Sequence, residues 1–435
     1  MTVNKSNKMS LMSKDFLDSF VETYVERKEC YLRAVKKYGS PLYILETDVL
    51  VQKAKQFKEA FVTRLPKVRC YFAMKSNNLP LITKILVEEG FGIDVSSGIE
   101  LSRALSNGAC DIIFSGPGKT EEELKLAMKY SSKVTILLDS IGEIERIKRL
   151  LKTGNDRVKV GVRLNNNPSG LWRKFGIPLD QLQMCYREIK AVPNLEFKGL
   201  QCHSSWNLEP DRQIEFIKIL GACLRSMPMD FLDSIECIDI GGGYWPQQGE
   251  WLVGDNSLEH YHLPAHSIDD FANKLALALK SNILNQTECA ICLEPGRWIC
   301  NDSMHILLQV IDKKDKDLVI TDAGTNIIGW ERFETDYFPV INLSNFENIE
   351  RHCKILGSLC TPHDVWGYAY FGGSISEGDV LMIPTQGAYT YSLRQDFIKP
   401  LPKVVVIGNT GKSPKVILHE TDDLLTGLRI ERKRL

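Results

Sequence analysis

Lys75 closes the run Tyr71-Phe72-Ala73-Met74-Lys75-Ser76-Asn77-Asn78, where an apolar stretch of strand character ends on a single amine. A lysine held among apolar and polar neighbours at a pocket mouth loses hydration of its charged form, so its pKa falls and the neutral amine can attack an aldehyde. Most lysines at strand ends are solvated surface residues, so other stretches must support the reading. Three do: His203 follows one apolar run, Gly241-Gly242-Gly243 a second and Glu294-Pro295-Gly296-Arg297 a third. Consecutive glycines let backbone N–H groups close around an anion, and Arg297 adds a cation. Taken singly, the glycines make a tight turn, Arg297 a surface ion pair and His203 a core histidine. The chemical reading requires all four stretches on one rim.

Eight short β-rich runs alternating with amphipathic segments supply such a rim. The runs are Lys67 to Met74, Gly92 to Val95, Asp111 to Phe114, Lys133 to Leu138, Arg157 to Leu164, Leu195 to Cys202, Ser234 to Ile240 and Glu288 to Leu293. Helical patterns lie between them, including Leu79 to Glu89, Gly98 to Ser106, Glu121 to Tyr130, Ile141 to Leu151, Asp211 to Arg225 and Ile268 to Leu279. This alternation predicts a parallel sheet with crossover helices, and eight repeats close into a TIM barrel whose active site forms at the C-terminal strand ends. Lys75 then follows strand one, His203 strand six, the glycines strand seven and Glu294 strand eight. Phosphate sites in such barrels are frequently built by the loops after strands seven and eight.

Past Arg297 the rhythm changes to short strands with Gly, Pro and Asp turns, including Leu318 to Thr321, Val380 to Ile383 and Val404 to Ile407. An all-β domain is expected there. The helical pattern Asp15 to Lys37 and the strand-like Pro41 to Leu45 fall outside the eightfold count and are expected to pack on that second domain. The expected fold is α/β: an N-terminal helix and strand over 1–46, a TIM (β/α)8 barrel over 47–296, and a C-terminal β-domain over 297–435.

Composition bounds the function. The chain has 435 residues, 43% hydrophobic and 25% charged, which is the makeup of a multidomain globular enzyme. A formal net charge of -1 and the lack of a long basic stretch disfavour nucleic acid or an anionic membrane as partner. Glu431-Arg432-Lys433-Arg434 reads as a solvated tail. No apolar run is long enough to span a bilayer, and Met1 to Lys14 lacks the apolar stretch of a secretory signal, so a cytoplasmic address is expected. Twelve scattered cysteines suit buried thiols in a reducing compartment. Cys289-Ala290-Ile291-Cys292 falls in a strand, where residues three apart face opposite ways, so no redox or zinc pair is expected. His260-Tyr261-His262 and His266 read as solvated loop histidines, and no metal site is expected.

Amine, acid and glycine cradle together describe a site for pyridoxal 5'-phosphate. A carboxylate beside the pyridine nitrogen keeps it protonated, and the ring then accepts the electron pair left when a bond to Cα breaks, which favours loss of CO2. A racemase gains from a less electron-withdrawing ring, so Glu294 argues against that class. The β-domain, with Cys360 and Tyr389, argues against a non-catalytic cofactor carrier.

Motifs in order along nearly the whole chain resemble the fold-type III pyridoxal-phosphate decarboxylases, the alanine racemase-like fold of diaminopimelate, ornithine and arginine decarboxylases. They are Tyr71 to Asn77, Gly92-Ile93-Asp94-Val95-Ser96 with Glu100, Lys174-Phe175-Gly176, Gly199 to His203, Asp239 to Gly243, Glu294 to Arg297, Cys360 with Asp364, and Gly387-Ala388-Tyr389. The resemblance implies that Lys75 is the Schiff-base lysine, His203 stacks on the ring and Glu294 pairs with the pyridine nitrogen. It implies that Gly243, Gly296 and Arg297 hold the phosphate. It further implies a homodimer with shared sites, in which Cys360 protonates the carbanion, Asp364 faces the substrate's distal end and Tyr389 reaches the phosphate across the interface.

Three departures bear on the substrate. His203-Ser204-Ser205-Trp206 stands where the family commonly reads His-Ile-Gly-Ser, so the phosphate-contacting serine is replaced by an indole or displaced to Ser205. Cys360-Thr361-Pro362-His363-Asp364 lacks the substrate-binding glutamate of Cys-Glu-Ser-x-Asp. Trp330 stands where diaminopimelate decarboxylases have a carboxylate-binding arginine, with Arg332 close by as a substitute. Substrate contacts are therefore expected from Thr361, Asp364 and Arg332. The leading expectation is decarboxylation of an amino acid or amino-acid conjugate in siderophore or other specialised biosynthesis. Diaminopimelate decarboxylation in lysine biosynthesis is the alternative.

Overall fold

Eight strands, β1 (Val68–Ala73), β2 (Gly92–Val95), β3 (Ile112–Phe114), β4 (Val134–Leu138), β5 (Val158–Asn165), β6 (Leu195–Gln201), β7 (Cys237–Asp239) and β8 (Ala290–Leu293), form a closed parallel barrel. Ile238 stands opposite Ile291, Cys292 opposite Arg69 and Leu137 opposite Gly161, so β7–β8, β8–β1 and β4–β5 complete the ring. All eight runs read from the sequence are present. They were legible because parallel strands buried on both faces are continuous β-branched and aliphatic runs. The computed structural model describes residues 9–151, 157–165, 169–254, 258–333, 335–409 and 414–419. The basic tail at 431–434 and the first eight positions of the opening segment lie outside the described residues.

Helix starts follow local capping. Ser97 accepts the N–H of Glu100 to open Gly98–Ser106, and Thr120 with Glu123 forms a reciprocal capping box before Glu121–Lys129. In Ile141–Leu151 the buried Ile144, Ile147 and Leu151 recur at helical spacing and turn one face inward. No helix among the described residues is long and apolar enough to cross a membrane.

The chain divides into two units: Val51–Gln247 with Ala265–Ile299, and a second drawn from 1–50, 248–264 and 300–435. The sequence division 47–296 thus differs slightly at its ends, which fall at 51 and 299, and in the segment 248–264, which clusters with the second unit. Its strands Glu250–Val253 and His260–Leu263 pair with each other, the latter also with Ser10–Leu11, and Trp251 is buried in the second unit's core beside Tyr337. The expectation of solvated loop histidines is corrected here for His260. It lies in a strand, is buried, meets Glu350 at 3.0 Å and stacks on Tyr337 at 3.5 Å between ring centroids.

A nine-stranded, mostly antiparallel sheet organises the second unit. Leu42–Glu46 sits between Met304–Asp315, antiparallel, and Lys403–Asn409, parallel, so the strand-like opening segment belongs to this sheet. The single helical pattern Asp15 to Lys37 is two helices, Lys14–Val25 and Lys28–Tyr38. Leu17, Val21 and Tyr24 on the first, and Cys30, Tyr31 and Ala34 on the second, enter the sheet core. The break places Arg27 beside Glu46.

Glu46 is buried, accepts the Tyr31 hydroxyl at 2.5 Å and pairs with the Arg27 guanidinium. Burial alone would raise its carboxyl, but His305, Arg27 and Tyr31 hold it down to about 2. A depressed folded-state pKa contributes stability above the unfolded value, lost as pH falls toward 2. Glu46→Gln should therefore destabilise by about 1–3 kcal/mol at neutral pH and flatten the acid limb of the stability curve. Chemical denaturation followed between pH 2 and pH 7 checks this, and an unchanged acid limb would refute the role of Glu46.

Candidate active site

Each barrel strand hands one polar group to the C-terminal rim or to the interior just beneath it. β1 runs into the turn Met74–Ser76, which carries Lys75. Its Nζ lies 2.7 Å from Asp94 Oδ2 at the end of β2. Asp94 is buried, and its other oxygen accepts the Ser115 hydroxyl from the loop after β3. Burial raises the proton affinity of Asp94, against the opposing pull of Lys75. The ion pair holds the amine at the rim, and the Lys75 charge in turn favours the ionised form of Asp94.

Glu294, one residue past β8, is 1% exposed. Oε1 accepts the Gln201 amide at 3.0 Å, and Oε2 lies 3.4 Å from His203 Nδ1. Burial would raise its pKa, yet the His203 hydrogen bond and the charges of Lys75 and Arg163 bring it to about 2. Asp239, at the end of β7, goes the other way: burial and then the Glu294 charge raise its carboxyl well above the usual range. Its Oδ1 accepts the Gly241 N–H at 2.8 Å.

His203 stands between these groups and the surface. Its Nδ1 is 3.1 Å from the Gly242 N–H, and its Nε2 is 3.2 Å from Ser205 Oγ. Burial lowers its pKa, with Glu294 opposing. The glycines are sterically required: a Cβ at Gly242 would fall 2.2 Å from Glu294 O, and one at Gly243 2.3 Å from Ser204 O. Gly241 and Gly243 also hold φ of 71° and 81°, a region glycine enters without strain. A Cβ at Gly296 would press on Ser76 and Ala73, beside the Lys75 turn. Arg297 places its guanidinium 4.2 Å over the Trp245 ring, and Trp245 stacks on Trp206 at 6.2 Å.

The structure thus brings together Lys75, His203, Gly243, Glu294, Gly296 and Arg297 at one end of one barrel. The remaining expected residues belong to the sheet unit. Cys360 and Thr361 are exposed, and Tyr389 is half-buried with φ of 58°. Arg332 donates to Trp366 O at 2.5 Å, and its guanidinium lies between the rings of Phe338 and Trp366; burial lowers its pKa to about 10. Asp364 requires a correction. It is 1% exposed, and its two oxygens accept backbone N–H groups of Thr325 and Leu359 at 2.6 and 2.7 Å. Those bonds use the carboxylate to fasten the Cys360 loop rather than to face a substrate.

Sequence reasoning gave no role to Asp94, Ser115, Arg163, Gln201 or Asp239. Asp94 and Asp239 stood inside quoted motifs at strand ends, the position that marks chemistry in this fold. Gln201 shared that signal, ending a strand inside Gly199 to His203, whereas Ser115 and Arg163 carried none, since their roles appear only when neighbouring strands meet.

Because Glu294 raises the His203 pKa, removing that charge should lower it further. In Glu294→Gln the imidazole titration, followed by proton NMR at the ring Cε1–H, should move to lower pH, and a move to higher pH would disprove the coupling.

Comparisons with known proteins agree with this geometry. The profile of the pyridoxal-dependent decarboxylase pyridoxal-binding domain matches residues 48–301, and that of the C-terminal sheet domain matches residues 297–387. A diaminopimelate decarboxylase of Aquifex aeolicus is 26% identical over 393 residues, covering 86% of this chain and 87% of its own. An L-glutamyl-[BtrI acyl-carrier protein] decarboxylase of Niallia circulans is 25% identical over 381 residues, covering 82% and 86%. Among solved structures, the diaminopimelate decarboxylase of M. jannaschi shares the fold with a TM-score of 0.75 at 24% identity, covering 91% of this chain and 93% of that one. The chain belongs to the pyridoxal-dependent decarboxylases.

Proposed function

We propose that this pyridoxal-phosphate enzyme decarboxylates an amino acid borne on a larger group, as a cytoplasmic homodimer with shared sites. Pyridoxal 5'-phosphate fits the residues present. Lys75 offers an amine held beside Asp94, Glu294 is a buried anion suited to a protonated pyridine nitrogen, and the glycine turn leaves backbone that any Cβ would obstruct. When bound, the cofactor supplies the electron sink for the pair released with CO2. Lys75 would hold it covalently and His203 would fix its plane. Glu294 would keep its ring nitrogen protonated, and Gly243, Gly296 and Arg297 would bind its phosphate, with Tyr389 of the partner subunit. Cys360 of the partner subunit would deliver the proton that replaces CO2. The free cysteines support the reducing, cytoplasmic setting.

One observation carries the substrate reading: a matched charge pair is missing. Where diaminopimelate decarboxylases place a glutamate and an arginine on the substrate's distal end, this chain has Thr361 and Trp330, both exposed, the indole at 68%. An amino-acid group at the distal end loses its complementary charges there, while an uncharged linkage meets a hydroxyl and an indole. Arg332 supplies a cation for an anionic part of such a substrate, and its Nη1 has no hydrogen-bond partner among the described residues. The similarity to a decarboxylase of a carrier-bound glutamyl group supports the same reading.

CO2 release from purified enzyme offered meso-diaminopimelate, ornithine, lysine, arginine, and citryl or glutamyl conjugates tests it. A conjugate should exceed diaminopimelate in kcat/KM by about tenfold or more. Rapid turnover of diaminopimelate alone would make the enzyme a diaminopimelate decarboxylase.

Shared sites predict complementation. Lys75→Ala should lose the visible absorption of bound cofactor, and Cys360→Ala should keep it while turnover slows by about a hundredfold or more. Mixing the two inactive variants should restore part of the activity. No recovery after confirmed subunit exchange would show that each subunit completes its own site.

A further inference from the structure

The opposite end of the barrel holds a second pocket that the chemistry at the rim does not use. Barrel interiors of this kind are normally filled by layers of bulky branched side chains. Here the layer toward the N-terminal strand ends is filled unevenly. Tyr71, Ile113 and Leu137 pack with Cys292, while Gly161, Gly199 and Cys237 supply little bulk to the rest. The space left is a cavity of about 440 Å³, lined by these residues and by Asp239. That volume lies within the roughly 300–1,000 Å³ of small-molecule sites.

The two ends of the cavity differ in charge. At the inner end, Asp239 is 3% exposed and its Oδ2 has no hydrogen-bond partner among the described residues. A buried carboxyl oxygen without a donor is costly, and this one borders open space. An ammonium group placed there would donate to Oδ2 and, as a neighbouring cation, favour the ionised form of a carboxyl that burial otherwise holds toward protonation. At the mouth, Arg69, Lys133, Lys159 and Lys198 outnumber Asp111 and Glu236. Lys198 is paired with Glu196 and Glu236, and Arg69 with Asp111 and the Tyr71 hydroxyl, which leaves Lys133 and Lys159 in excess.

Ladder register sets the length. Gly161, Gly199 and Cys237 stand level, Lys159 two residues below them and Asp239 two above. Four residues of strand span roughly 13 Å, which side chains reaching in from both ends shorten to the reach of a five-carbon chain.

We propose that this cavity is a second ligand site, taking a short ω-amino acid whose ammonium group meets Asp239 and whose carboxylate meets Lys133 and Lys159. The charge pattern selects a zwitterion over a diamine, which would bring a cation to the basic mouth, or a dicarboxylate, which would bring an anion to the acidic end. The proposal does not depend on the substrate reading, because neither the site nor its test involves turnover.

Cys237 makes the test direct. It is a partly exposed thiol in the cavity wall, and its Sγ donates to Lys198 O at 3.6 Å. Iodoacetamide labelling of the holoenzyme is followed at Cys237 by peptide mass spectrometry, with Cys360 as internal reference. The probes are 5-aminopentanoate, 1,5-diaminopentane and glutarate. Saturating 5-aminopentanoate should slow labelling at Cys237 by about tenfold with Cys360 unaffected, and the other two probes should protect less. Asp239→Asn and Lys133→Glu should each abolish most of that protection, and Lys133→Glu, at the mouth, keeps the test decisive if Asp239→Asn does not fold. Equal labelling with and without every probe would show a hydrated void only. Protection by glutarate or diaminopentane as strong as by 5-aminopentanoate, or protection that survives both substitutions, would also overturn the proposal.

Discussion

The buried charge of Glu294 organises the catalytic end of the barrel. Asp94, Asp239 and Glu294 all lie out of water, and carboxylates at close range cannot all ionise. Glu294 is brought to about 2 by the His203 ring 3.4 Å away and by the charges of Lys75 and Arg163. Its charge then works on its neighbours. Asp239 is driven toward its neutral form, and His203 is kept from falling as far as burial alone would take it. The interior therefore shifts three similar acids in opposite directions by position, Glu294 down and Asp94 and Asp239 up.

Keeping that charge in place depends on backbone packing tight enough to exclude any side chain. The turn after β7 passes so close to the Glu294 and Ser204 carbonyls that Gly242 and Gly243 have no room for Cβ. The Gly242 N–H meets His203 Nδ1, so the turn that forms the cradle also orients the imidazole. Gly296 lets the loop after β8 press on the Lys75 turn, and the Ala73 N–H donates to Pro295 O at 3.0 Å. Lysine, imidazole and carboxylate are thus fixed by main-chain contacts between neighbouring strand ends rather than by long flexible side chains. Positioning of this kind loses little entropy on binding.

What was legible in the sequence follows from the same distinction. Strands and helices of the barrel were read correctly because burial on both faces imposes a local pattern, and the strand-end position of Lys75, His203 and Glu294 followed from counting repeats. Contacts made across strands left no local trace. The pairing of Lys75 with Asp94, and of Gln201 with Glu294, joins residues 19 and 93 positions apart. The hairpin around Trp251 was assigned to the barrel because its position in the chain says nothing of the sheet it joins. Asp364 was misread for a related reason. An acid near a reactive cysteine resembles a substrate contact until the N–H groups of Thr325 and Leu359, one of them distant in the chain, are seen to occupy it.

That anchoring role bears on how specificity can vary within such a fold. With Asp364 holding the loop from beneath, Gly324 and Gly357 must lack side chains to let the carboxylate in. Cys360 and Thr361 ride on the exposed side of the same loop. The geometry that presents the thiol is therefore set by Asp364 and two glycines, none of which would select the substrate. Thr361 can take the place of a glutamate without disturbing them, because its side chain is not part of the anchor. A loop built this way separates the groups that anchor it from the positions it exposes. It can keep its cysteine while the neighbouring position changes from a charged contact to an uncharged one.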